Sequence, residues 1–390
     1  MNKTEQVEQL LADSVGRQYA VLTGSGTTAL MISCRLTPVD RCKVIIPANA
    51  CAQVMYAVLY ADKTPVFADV RLQDATLDPD HVALLLAADP AIGAVIAVHL
   101  YGHRADTDAL YSLTKQRGVL LIEDAAQAQG GRHPDGRPFG AVGDLSIISF
   151  GHTKILDAGG GGVLLFDDPE FINRIRGDVA HLEPALDNAM TMARYYSRLF
   201  YTAWELYRAD RNFSILFDSL PGLFRTLFVY SSNEQQAQKV MNALPELTDE
   251  LTHRRDLYTA YDEGLRGLSG AILFDVDINN MAPWRFSFRV PREVRDELLS
   301  ALRGAGYNAS SWYPCLADWT HSGRKPENMD VHVARTLEAE VVNLWLTRDH
   351  NRATVAGLVA MIAQVLSQSR INLPPVKPEV YICGSSSNSL

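Results

Sequence analysis

Val119-Leu-Leu-Ile-Glu-Asp-Ala-Ala-Gln-Ala128 and Leu145-Ser-Ile-Ile-Ser-Phe-Gly-His-Thr-Lys154 decide the reading of this chain. Each opens on an apolar, Leu- and Ile-rich run, the pattern of a strand buried on both faces. Each then stops on polar residues, Glu123-Asp124 in one and Ser149 in the other. Open α/β sheets bind ligands in the crevice outside the carboxyl ends of their strands. Asp124 and Lys154 are therefore expected near one sheet edge.

Working outward, similar runs recur at 19–22, 43–47, 64–68, 94–99 and 162–166. Helix-length stretches alternate with them between 19 and 168, which predicts an α/β fold with a mostly parallel central sheet sandwiched by helices. Aromatic residues crowd 188–230, read as helices broken near Pro221-Gly222. One long helix is expected over 234–265, bent at Pro245. A smaller C-terminal α+β unit follows, with strands at 285–290, 308–313 and 342–346 and helices at 292–304 and 352–367. A chain of 390 residues exceeds what one hydrophobic core usually serves. The expected division is a large domain over 1–235 with 188–230 as an insertion, a linking helix and small domain over 236–370, and a tail over 371–390.

Composition narrows the function classes. A formal charge of −9, with scattered Lys and Arg, argues against nucleic acid as a partner. Cys34, Cys42, Cys51, Cys315 and Cys383 form no C-x-x-C pair, so reduced structural thiols are expected. No metal is expected, because neither H-x-x-x-H nor a carboxylate cluster occurs. The opening residues lack the apolar core of a secretory signal, and no apolar run has the length of a transmembrane helix, so a cytoplasmic protein is expected.

Thr23-Gly-Ser-Gly-Thr-Thr-Ala-Leu30 follows a strand and opens a helix. Free backbone N–H groups and the helix dipole favour an anion there, although a plain helix cap has the same appearance. The P-loop lysine is missing, and Ala29 stands where a dinucleotide fingerprint needs its third glycine. Asp124 reads either as a ligand carboxylate or as the N-cap of a helix starting at Ala125. Lys154 reads either as an amine nucleophile or as a surface residue. His99 is read as hydrogen-bonded structure and His152 as either site wall or turn. The order of phosphate turn, strand-end aspartate and lysine is what holding pyridoxal 5'-phosphate at three points requires.

Phe67-Ala-Asp69, His99-Leu-Tyr-Gly102, Ile122-Glu-Asp-Ala-Ala-Gln-Ala128 and Ser149-Phe-x-x-x-Lys154 resemble the DegT/DnrJ/EryC1/StrS family of pyridoxal phosphate-dependent sugar aminotransferases. The resemblance implies the aspartate aminotransferase fold, fold type I. It implies that Lys154 binds the cofactor as a Schiff base and shuttles the proton, and that Asp124 partners the pyridinium nitrogen. It also implies that Gln127 lies beside the ring and that Gly26, Thr27 and Ser149 contact the phosphate, with Ser25 as an extra. A homodimer is implied, as is transfer from an amino-acid donor such as glutamate to a keto or aldehyde group of a sugar-like or cyclitol-like substrate.

The sequence also departs from the family. Its phosphate turn comes about twenty residues early, so part of the substrate mouth is expected to be missing. Pro47-Ala-Asn-Ala-Cys51 lacks the usual ring-stacking aromatic, the Asn-x-Arg segment is not recognisable near Ser231-Ser-Asn-Glu-Gln, and Ser311-Trp-Tyr313 replaces a His-Tyr pair. A non-standard substrate is expected. The rivals are dehydration or cyclisation, against which Lys154 argues because dehydratases of the group carry histidine there, and a non-catalytic binding module. In 188–230, Tyr196, Phe200, Ala203 and Tyr207 mark one apolar helix face. It is expected to bury on protein, the alternative being a membrane surface, with Arg194, Arg198, Arg208 and Arg211 as a basic fringe.

Overall fold

The computed structural model describes residues 2–319, 323 and 329–368; Cys383 and the 371–390 tail lie outside the described residues. The central sheet comprises β1 (Tyr19–Thr23), β2 (Lys43–Pro47), β3 (Thr64–Ala68), β4 (Ile92–Val98), β5 (Leu120–Asp124), β6 (Leu145–Ser149) and β7 (Gly162–Phe166). Its order is β1-β7-β6-β5-β4-β2-β3, and only β7 runs against the others. Every residue of β4, β6 and β7 is buried, as their mostly apolar runs suggest, Ser146 and Ser149 of β6 included.

Helices α1 (Lys3–Val15), α2 (Gly26–Arg35), α3 (Ala52–Tyr60), α4 (Pro79–Ala88), α5 (Thr107–Lys115) and α6 (Glu170–Ala180) accompany this sheet. After it come α7 (Ala189–Ala209), α8 (Leu216–Phe228), α9 (Glu234–Ala243) and α10 (Leu247–Leu265). The smaller sheet holds β8 (Ile272–Leu273), β9 (Arg285–Arg289), β10 (Ala309–Ser310) and β11 (Val341–Trp345) in the antiparallel order β10-β11-β9-β8. Against it lie α10 and α11 (Arg292–Gly304), with α13 (Arg352–Gln368) packed on both, while α12 (His332–Glu340) packs on α11 and joins the core of the large sheet.

Several local expectations are corrected. The 234–265 stretch is two helices, because Pro245 lies in a 3-10 turn over Leu244–Glu246. The break in 188–230 falls at Asp210, whose carboxylate accepts from the amide of Asn212 and starts a 3-10 turn over Arg211–Ile215. Pro221 instead lies inside α8, which leaves helical geometry at Phe224 (φ −118°, ψ 16°). Strand 308–313 shrinks to the two residues of β10. Helix α1 was not expected, although Asn2 and Glu5 form a reciprocal capping box that starts it.

The aromatic face of α7 packs on protein. Phe200, Ala203, Trp204 and Tyr207 are buried, and Tyr196 meets Phe228 at 4.9 Å between ring centroids. Phe217 of α8 stacks flat on Trp319 at 3.7 Å. Arg208 and Arg211 are paired with Asp296 and Glu338, so the expected basic fringe is half neutralised from within. Among the described residues no helix is long and apolar enough to cross a membrane.

Candidate active site

The carboxyl ends of β1, β5 and β6 share one edge of the sheet, and there the chain surrounds a cavity of about 320 Å³. Gly26, Thr27, Asp124, Gln127, Ser149 and Lys154 all line it, with Ser25 and His152. Residues far apart in sequence meet because β5 and β6 are parallel neighbours while β1 lies one strand beyond, across β7.

At the first wall, Gly26 begins α2 against β6. A Cβ on Gly26 would come within 2.9 Å of Ser149 Cβ, so only glycine lets turn and strand approach this closely. Ser25, which lines the cavity, also caps α2: its hydroxyl accepts from the amide of Thr28 and donates to the carbonyl of Phe228. The segment after α8 holds the turn further, since Gly24 N–H donates to the Tyr230 carbonyl at 3.1 Å and Thr28 Oγ1 donates to that of Phe228 at 3.1 Å.

Asp124 ends β5 and is 4% exposed. No helix follows; its Oδ1 accepts from Ala126 N at 2.9 Å in a turn, which replaces the helix N-cap expected there. Burial pushes its carboxyl up, against the opposing pull of the Ala126 amide, the Lys154 charge and the His99 imidazole. A cation against Asp124 would offset that cost. Gln127 is fixed at both ends, its Oε1 accepting from Tyr101 N–H at 3.0 Å and its Nε2 donating to Tyr313 Oη at 2.8 Å.

Lys154 sits in a turn after β6, following Thr153 in the left-handed region (φ 70°). Trp284, which lines the same cavity, donates its indole N–H to the Thr153 carbonyl at 2.6 Å and so ties the turn to the segment entering β9. His152 is largely exposed, with Nδ1 3.1 Å from Asp157 Oδ2 at the cavity mouth. Cys51 also lines the cavity, where burial raises its thiol pKa.

Sequence reasoning missed Glu123. This fully buried carboxylate accepts from the amides of Gly140 (2.6 Å), Val142 (2.9 Å) and Gly143 (3.0 Å). Its fourth partner is His99 Nε2 at 2.9 Å. The amide of Ala105 donates to His99 Nδ1, so Nε2 carries the proton given to Glu123. Burial opposes the charge, but the imidazoles of His133 and His99 and the Gly140 amide hold the carboxyl well below the usual range. His133 acts across 3.7 Å, beyond hydrogen-bond reach. His99 is thus structural, and the missed signal was a charge inside a doubly buried strand.

Among curated proteins, the chain is 30% identical over 332 residues to the dTDP-3-amino-3,4,6-trideoxy-alpha-D-glucose transaminase of Streptomyces venezuelae, covering 84% of this chain and 77% of that one. It is 36% identical over 163 residues to the L-glutamine:2-deoxy-scyllo-inosose aminotransferase of Streptoalloteichus tenebrarius, covering 41% of this chain and 37% of that one. The crystal structure of DesV from S. venezuelae, in complex with a ketimine intermediate, superposes with a TM-score of 0.74 at 26% identity, covering 95% of this chain and 91% of the other. Residues 2–363 match the DegT/DnrJ/EryC1/StrS aminotransferase family, and the chain belongs to that family of enzymes.

Proposed function

We propose that this enzyme holds pyridoxal 5'-phosphate on Lys154 and moves an amino group from an amino-acid donor, glutamate or a close analogue, to a keto or aldehyde carbon of a sugar-like or cyclitol-like acceptor. The observation that carries the reading is the convergence of Gly26, Thr27, Asp124, Gln127, Ser149 and Lys154 on one cavity. The residues fit the group: a helix N-terminus and the Ser149 hydroxyl for a phosphate, a buried carboxylate for a pyridinium, and an amine for an aldehyde.

Bound there, pyridoxal phosphate supplies an electron sink for the carbanion formed at the donor's α-carbon. The protein does the rest. Asp124 would hold a proton on the ring nitrogen, Lys154 would supply the amine that binds the cofactor and carries the proton, and the Gln127 amide, held at both ends, would lie beside the ring. Tyr313 and Trp284, ring-stacked at 6.0 Å, limit the entry of water. A second copy of the chain is proposed to cover the exposed Tyr195 and Leu199 of α7 in a homodimer. Phe200, Ala203, Trp204 and Tyr207 pack inward, while Met190, Tyr201, Ile215 and Leu223 stay exposed and are the apolar residues left for a weak membrane-surface contact through 188–230.

The test is borohydride reduction of the holoprotein, then peptide mapping. Label on Lys154 alone is expected, and absent in Lys154→Ala. Label on another lysine, or no cofactor uptake, refutes the reading.

A further inference from the structure

Helix α3 starts beside the cavity, with Cys51 at its N-cap position but making no capping bond. The Cys51 thiol turns to Gln53 instead, donating to its Oε1 at 2.7 Å. The other end of that amide, Nε2, donates to the hydroxyl of Tyr196 at 3.2 Å. Tyr196 belongs to α7, so the aromatic insertion reaches the cavity wall and fixes one of its side chains. Leu30, Val54 and Phe228 line the same cavity.

A primary amide has two N–H donors and two carbonyl lone pairs. Cys51 uses one lone pair and Tyr196 one N–H, which leaves one donor and one acceptor on a planar group held at both ends. Two hydroxyls on adjacent carbons present the complementary pair, because each can donate and accept. An apolar residue would fill this place as well, so the fixed amide calls for a polar ligand.

We propose that Gln53, locked by Cys51 and Tyr196, reads a vicinal diol of the acceptor. The inference rests on the cavity being the transamination site and adds what that site recognises. Gln53 touches substrate, whereas Tyr196 is a positioning residue acting through it.

The experiment uses holoenzyme converted to its amine form by glutamate, and follows reconversion by scyllo-inosose, a ring ketone flanked by hydroxyls, and by cyclohexanone, which has none. The wild type is expected to prefer scyllo-inosose in rate over half-saturating concentration. Gln53→Leu should lower that preference at least ~10-fold, since a site built to bond hydroxyls discriminates through them. Tyr196→Phe, which keeps the ring and frees the amide, should shift it the same way by raising the half-saturating concentration more than it lowers the maximal rate. A wild type without the preference, or a Gln53→Leu ratio equal to wild type, overturns the proposal. Borohydride labelling of Lys154 in each protein separates the failures: an unlabelled wild type refutes the active-site reading itself, while labelled proteins with unchanged ratios refute only the diol reading.

Discussion

Replacing Glu123 by glutamine tests whether the end of β5 depends on a buried charge. Both carboxylate oxygens accept pairs of donors, Oε1 from Gly140 N and His99 Nε2 and Oε2 from Val142 N and Gly143 N. An amide can satisfy one pair only; its NH₂ end must face two further N–H groups. Each hydrogen bond to a charged group is worth ~1.5–3 kcal/mol, so losing two costs ~3–6 kcal/mol. At 1.4 kcal/mol per tenfold, amides of β5 and β6 should exchange hydrogen roughly a hundred to ten thousand times faster wherever they open through this unit. Hydrogen exchange read by mass spectrometry over 119–150 measures this in Glu123→Gln and wild type. Because the folded carboxyl lies well below its unfolded value, its stabilisation is present above the usual glutamate range and is lost as pH falls through the folded value. The difference should hold at pH 7 and shrink only in strong acid. Protection at pH 7 within a factor of five of wild type would refute the reasoning.

Asp124→Asn should cripple conversion of the bound cofactor to its amine form while leaving the cofactor-free protein as stable or more so. Burial raises the Asp124 carboxyl, so its ionisation costs stability as pH rises above the unfolded value, and the variant's advantage in melting temperature should grow over that range. An apo variant less stable than wild type at pH 8 would contradict this. Trp284→Phe removes the N–H that holds the Thr153 carbonyl; one such bond is worth ~1 kcal/mol, so kcat should fall about fivefold with Lys154 still labelled, and an unchanged kcat would show the bond to be incidental.

What the sequence made legible follows from which forces act locally. The strand runs at 43–47, 64–68 and 162–166 coincide with β2, β3 and β7, because each is a short, mostly buried apolar run whose flanking residues change character. Lys154 and Asp124 were legible because chemistry constrains residue type at the strand ends. The break at Asp210 was hidden by Pro221, which looks like the stronger stop. Pro221 is the sixth residue of α8, which runs through it and kinks at Phe224, whereas Asp210 is extended at the end of α7 and its carboxylate caps the 3-10 turn that follows. Glu123 was hidden for another reason: its partners at 99 and 140–143 are joined only by the fold. Gln53 is similar, since nothing at 51–53 announces that a tyrosine at 196 will meet it.

The two ends of the cavity therefore have different origins. The end holding Asp124 and Ser149 is made by the sheet, where a substitution disturbs strands buried on both faces. The end holding Cys51, Gln53 and Phe228 is made by α3 and the insertion, which lies outside the sheet. The two are still coupled, because the carbonyls of Phe228 and Tyr230 accept from Ser25, Thr28 and Gly24 in the turn before α2. A change in α7 that only re-aims Tyr196 alters what Gln53 can bond and leaves that turn intact. A change that moves the end of α8 shifts the turn as well. If Gln53 reads the acceptor as proposed, acceptor preference is open to alteration through α7, whereas the 228–230 segment is tied to the turn before α2.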